Sequence, residues 1–338
     1  MAAILTLVLL FGLTSGYAGD VARTGTAAGL QATVPVGARY LAMGGANISN
    51  VSGVDGIFWN PAGLSSMKGA ANAVFSTMTI FNDVKVNYLG LGFNMGSLGA
   101  LGVTLKAFDF GDIPLTTTID PDGASGRTFS PTFVTAGLTY GAKLTESIKI
   151  GVTGKLLYES AANVQASAFA LDAGIEYNKL AGIEGLSVGV VIRNIGSNIK
   201  YQGSGLNTQA TEQGIPYSDF LKRDAASNQL PASISLGVGY KLAVDETNNV
   251  RVVGNFDNNN FGSDVYKAGA EYMYSDLFAV RAGYLYYADI NSDEAPYTFT
   301  VGAGFHYNVG GVDLSLDYAY RDVQYFNGNN LFSLKIGF

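Results

Sequence analysis

From about residue 71 onward the sequence alternates apolar and polar residues in segments of about ten, yet no internal run approaches the roughly 18 apolar residues of a spanning helix. Tyr297, Phe299, Val301, Ala303, Phe305, Tyr307 and Val309 share one face. Thr298, Thr300, Gly302, Gly304, His306 and Asn308 share the other, because successive side chains of a strand point to opposite sides. Val312, Leu314, Leu316, Tyr318 and Tyr320 repeat the pattern against Asp313, Ser315, Asp317 and Arg321, with Gly310-Gly311 suited to the tight turn between them. About fourteen such segments follow one another, an even number of the kind that closes a transmembrane barrel.

The connections separate a membrane barrel from a soluble sandwich. Short ones at 95–99, 144–147, 275–276 and 309–311 alternate with longer ones at 109–130, 195–230, 257–264, 288–296 and 322–330. Sorting short turns to one rim and long loops to the other is the outer-membrane pattern, the long loops facing outside. Tyr140, Tyr158, Tyr240, Tyr286, Tyr307 and Tyr320 sit near the ends of apolar faces, where a ring with a polar tip suits the lipid–water interface. The last strand carries Phe332, Leu334, Ile336 and the terminal Phe338 on one face. The expected fold is therefore all-β: a transmembrane antiparallel β-barrel of about 14 strands, integral to a Gram-negative-type outer membrane and contacting its lipid.

Composition narrows function further. A net charge of −7 argues against nucleic acid, and the absence of cysteine excludes disulfides and thiolate metal sites. At the N-terminus, apolar residues 4–13 and the small Gly16 and Ala18 read as a signal peptide over residues 1–18, although no Lys or Arg precedes Arg23. Charged residues, Glu271, Arg281, Asp317 and Lys335 among them, fall consistently on the face opposite the apolar one, where they line the lumen as a structural ladder. Asp313 and Asp317 are expected beside Lys335. Phe108, Phe133, Leu157, Arg193, Arg281, Leu285, Tyr287 and His306 are candidate lumen linings. His306 is the only histidine, and no strained nucleophile turn accompanies it, so catalysis is not expected. Asp289, Asn291, Asp293 and Glu294 alternate like the start of a calcium loop but lack its glycine and distal glutamate; they read as a solvated acidic loop, and no metal or cofactor is expected.

Residues 19–70 do not alternate, and with the barrel occupying 71–338 they are expected to form a hatch, or plug, within it. Asn60 before Pro61 suits a helix cap followed by proline at the first helical position, and Trp59, Phe58 and Met43 need burial. The hatch motif comprises Gly37, Arg39, Met43, Gly44, Gly45, Trp59, Asn60, Pro61 and Ala62.

This stretch resembles the N-terminal signature of the PorV/PorQ family, within the FadL-like class of fourteen-stranded outer-membrane barrels. Gly37-Ala38-Arg39, Met43-Gly44-Gly45-Ala46 and Trp59-Asn60-Pro61-Ala62-Gly63-Leu64 carry the resemblance. It implies that Asn60, Pro61 and Ala62 hold the plug. It also implies an accessory of protein secretion or surface attachment, whose long loops bind a secreted cargo protein or a secretion channel; there "IPYSDFLKR" is expected to form a short amphipathic helix. The wider class implies the alternative, a passive transporter of hydrophobic small molecules such as fatty acids. A transporter would need an apolar route past the plug and a lateral gap in the wall; a protein-binding barrel would have an occluded lumen.

Overall fold

The computed structural model describes residues 21–210 and 219–338. The signal-peptide expectation for residues 1–18 lies outside them. Fourteen antiparallel strands form a closed barrel. They are β1 (Ala71–Thr79), β2 (Lys85–Asn94), β3 (Ala100–Asp109), β4 (Thr132–Lys143), β5 (Ile148–Ala161), β6 (Val164–Asn178) and β7 (Leu186–Gly196). The second half comprises β8 (Ser233–Ala243), β9 (Asn248–Asn259), β10 (Val265–Tyr274), β11 (Phe278–Tyr287), β12 (Phe299–Val309), β13 (Val312–Arg321) and β14 (Asn329–Gly337). Each strand pairs with its sequence neighbour, and β1 closes the ring on β14 from Asn72↔Gly337 to Thr79↔Asn330. Closure removes every sheet edge, which is what allows strands to cross a membrane.

Burial follows the period of two. In β6 the outward Phe169, Leu171 and Ile175 are about half exposed, whereas the inward Ala170, Asp172 and Glu176 are buried. A belt of exposed Phe, Leu, Val and Tyr runs round the outside, from Phe75 through Leu138, Val152 and Val280 to Phe332. That is the lipid surface. The chain is an integral outer-membrane β-barrel, with the short-turn rim facing the periplasm.

The long-loop rim departs from expectation in two places. Strand β9 runs on to Asn259, shortening the connection expected at 257–264, and β5 and β6 project together to a tight turn at Ala162 and Asn163. The loops fold partly as small hairpins: Ile113–Pro114 with Thr128–Phe129, Ile199–Lys200 with Ser227–Asn228, and Asn207–Ala210 with Asp219–Lys222. The last of these corrects the amphipathic helix expected over 215–223. Its described part is a strand, because backbone pairing with Asn207–Ala210 outweighs the local helical pattern; residues 215–218 lie outside the described residues.

The core lies inside the barrel. Tyr40, Leu41, Met43 and Trp59 pack against Met78, Val86, Val253 and Leu331 of the wall. Val36, Val54, Ile57 and Leu64 form a second cluster with Val74, Tyr88 and Ala100. Short helical turns at Leu30–Ala32, Ala38–Leu41, Gly53–Asp55, Gly56–Trp59 and Pro61–Ser66 carry these residues. The segment before β1 thus fills the lumen, and its apolar side chains are sheltered by the wall.

Candidate functional site

The plug is seated by one turn. Asn60 is fully buried, and its side-chain amide donates to the carbonyls of Ile48 (2.7 Å) and of Ile175 in β6 (3.2 Å). Its side-chain oxygen accepts from the Ala62 amide at 3.1 Å, capping the 3-10 turn Pro61–Ser66. Proline sits where a helical turn needs no amide donor. The wall meets this turn with glycines. A Cβ on Gly151 would lie 2.2 Å from the Pro61 carbonyl carbon, and one on Gly174 would lie 2.0 Å from Asn60 Oδ1. Only residues without a side chain permit that approach.

Farther along, Trp59 Nε1 donates to the Val36 carbonyl at 2.9 Å, and its ring meets Phe58 edge-on at 5.1 Å. Gly44 and Gly45 both adopt left-handed conformations, and a Cβ on Gly45 would strike the Trp59 ring at 2.8 Å. Thr300 of β12 accepts from the Gly44 amide and donates to the Ala42 carbonyl, each at 2.9 Å.

Ion pairs lock plug to wall. Arg39 makes a bidentate bridge to Glu271 of β10, at 3.0 and 2.9 Å. The same carboxylate takes Arg281 Nε at 2.7 Å and Arg251 at 3.3 Å, and Arg281 continues to Asp317 at 2.6 Å. Lys335 reaches Asp55 of the plug at 3.0 Å. Asp313 and Asp317 do lie on the strand beside Lys335, flanking Ser315 opposite it, while the Lys335 ion pair goes to Asp55 of the plug. Glu176 accepts from the Val51 amide at 2.9 Å while paired with Lys149 at 3.3 Å. Buried charges are tolerated only when paired and hydrogen-bonded, and here Arg39, Val51 and Asp55 of the plug supply part of that pairing.

The plug runs the length of the lumen. Lys106 Nζ donates to the Val34 carbonyl at 2.9 Å and lies 5.1 Å from the Phe58 ring. Beyond it Arg23 binds Asn260 (3.1 Å) and Gln229 (2.6 Å) of the long-loop rim, stacked 4.0 Å over Phe261.

The candidate linings all face inward but divide into three places. Arg193 donates to the Trp59 carbonyl at 2.5 Å, Arg281 supports Glu271, and Leu285 packs beside Gly44; these hold the plug. Phe108 and Phe133 lie toward the long-loop rim with Phe110, ring centroids 5.0 to 6.3 Å apart, and Leu157 is buried there against Ala32 and Leu230. Tyr287, half-buried, ends β11 on the same side. His306, 3.5 Å from Asp317, lines a chamber of about 600 Å³ that faces the periplasm. Arg39, Lys68, Lys241, Arg251 and Lys335 also line this chamber. The carboxylates on it are Glu271, Asp276 and Asp313. Among the described residues no group of three or more metal-ligating side chains converges.

Asp55, Gly151 and Gly174 also belong to the site and are not singled out by the sequence, whereas Lys241 and Arg251 fall on the lumen face there without being candidate linings. The inward glycines were visible in the alternation, but which of them touch the plug follows only from the folded register.

A closed fourteen-strand barrel with a chain-internal plug defines the class: a plugged outer-membrane β-barrel. No family model matches the sequence, and no curated protein matches it. Solved structures do match. The Ralstonia pickettii toluene transporter TbuX aligns over 90% of this chain and 98% of its own, with a TM-score of 0.55 and 13% identity. The Pseudomonas putida toluene transporter TodX aligns over 88% and 96%, at 0.54 and 14%. A Pseudomonas aeruginosa FadL homologue aligns over 90% and 98%, at 0.50 and 12%. At these identities the likeness is one of fold, and that fold is FadL-like.

Proposed function

We propose that this chain is a passive outer-membrane channel for hydrophobic small molecules, gated by the plug. The observation that carries it is an aromatic cluster at the long-loop end of the barrel, packed against the plug. Phe108, Phe110 and Phe133 form a half-buried aromatic trio where the 110–131 loop leaves the barrel, and Phe108 packs on the plug core itself. Half-buried rings beside the plug suit contact with an apolar solute. Two of the like-folded proteins are toluene transporters, which supports the same assignment. The lateral gap expected of a transporter is not found among the described residues, which counts against this reading: strand pairing runs round the ring with a single register shift, between Leu171 and Ala173. Passage therefore requires the plug to move. Uptake of radiolabelled toluene by cells producing the intact chain, the F108A/F133A variant or neither tests this. Faster uptake with the intact chain than with the variant is expected; equal uptake in all three would refute the proposal.

The PorV/PorQ-type alternative, binding a secreted protein or secretion channel, is favoured by the occluded lumen it calls for and by a second observation. The long loops carry exposed apolar residues, Ile119 (95% exposed), Leu221 and Phe326 among them, of the kind that mark protein contacts. Removing residues 115–127 would then abolish partner capture and leave toluene uptake unchanged.

A further inference from the structure

We propose that the periplasm-facing chamber is an oxyanion site, taking a carboxylate or phosphate group between Lys241, Arg251 and Arg39. Three observations carry it. First, β8 and β9 place Lys241 and Arg251 directly opposite each other, both lining the chamber. Like charges facing across strands destabilise a sheet unless something negative lies between them. Second, the carboxylate nearest these cations is oversubscribed, while Asp276 and Asp313 make no ion pair among the described residues. Glu271 serves Arg39, Arg251 and Arg281 at once, and Arg281 also draws on Asp317, which His306 approaches. Asp276 and Asp313 complete the chamber's carboxylates, and Asp313 accepts from Asn308. Lys241 and Lys68 have no ion-pair partner among the described residues, and Arg251 Nε and the Ser66 hydroxyl, both buried, have no protein partner. Third, a volume of about 600 Å³ lies in the range of small-molecule sites, and its remaining lining is rich in Asn and Ser donors.

This excess of cations sits in a chain of net charge −7, so it is a local arrangement rather than a bulk property. It also differs in chemistry from the aromatic cluster at the other rim. An oxyanion here touches the plug through Arg39 and the wall through Arg251 and Lys241, so its binding stabilises the plugged state. The group could belong to a free periplasmic solute or form the end of an amphiphile.

Calorimetric titration and thermal unfolding of the full chain in detergent, at constant ionic strength, test the site without any transport step. The probes are inorganic phosphate and octanoate. The variants are K241Q and K68Q, both at exposed positions where folding is not at risk. Saturable binding that weakens about threefold per lysine removed is expected, the size of one unit-charge contact at ~6 Å in water. K241Q without anion should unfold no earlier than the native chain, since it removes a like-charge pair, yet should lose much of the anion-induced rise in Tm. Binding of phosphate, with or without octanoate, identifies a free oxyanion; binding of octanoate alone identifies an amphiphile's end group. Absence of binding by both up to ~10 mM, or binding that both variants leave unchanged, would overturn the proposal.

Discussion

Gly151→Ala displaces the plug without altering a plug residue. The new methyl would sit 2.2 Å from the Pro61 carbonyl carbon, 2.3 Å from its oxygen and 2.5 Å from the Ala62 amide nitrogen. These are backbone atoms with no rotamer to yield, so the turn must lift off the wall. One hydrogen bond to the wall goes with it, from the Asn60 amide to the Ile175 carbonyl, whereas the bonds of Asn60 with Ile48 and Ala62 lie within the plug and move with it. At about 0.5–1.5 kcal/mol for that bond, plug seating weakens by about the same amount, with the lost close packing in addition. The barrel itself loses little, because strand pairing on both sides of Gly151 is untouched. Trp59, the only tryptophan and 5% exposed, lies next to Asn60 and reports the movement. Its emission should shift to the red and become quenchable by acrylamide, while heat-modifiable gel migration shows the barrel still folded. Unchanged emission and quenching in a folded G151A barrel would refute the close-packing argument.

Glu271→Gln leaves Arg39, Arg251 and Arg281 without their shared carboxylate, and breaking a buried pair of this kind costs about 3–5 kcal/mol, so Trp59 quenching and the rate of current openings in planar bilayers should both rise. Leu138→Arg, on the outward face midway along β4, should cost about 2–4 kcal/mol in urea titrations of the chain refolded into vesicles. Asp245, in the turn between β8 and β9, has its carboxyl held down at about 2 by the Asn248 side chain and by the amide and hydroxyl of Thr247. A depressed carboxyl stabilises the turn above its ordinary value near 3.8, and that contribution is lost as pH falls through about 2. Amide exchange at Asn248 should therefore accelerate across that window in the native chain, and Asp245→Asn should flatten the dependence.

The barrel was legible in the sequence because its governing rule is local. Side-chain direction alternates every residue, so Phe169, Leu171 and Ile175 could be sent outward and Asp172 and Glu176 inward from spacing alone. The Asn60-Pro61 cap was equally local, written in two adjacent residues. Where local pattern competed with pairing it misled: the segment expected as an amphipathic helix contributes the strand Asp219–Lys222, and β9 runs past the expected start of its loop.

Partnership across the lumen was not legible. Arg39 meets Glu271 across 232 positions of sequence and Asp55 meets Lys335 across 280, distances over which no periodicity carries information. The same holds for Lys241 facing Arg251, which depends on the hairpin register, and for Gly151 and Gly174, whose missing side chains gain meaning only once the Pro61 turn rests on them. By itself the sequence determined which face of the clearly alternating strands meets lipid, because that is set by the pleat. Only closure of the ring around its own N-terminal segment decided which inward charges pair, which glycines are indispensable and where cations are left in excess, because those follow from three-dimensional proximity across the lumen.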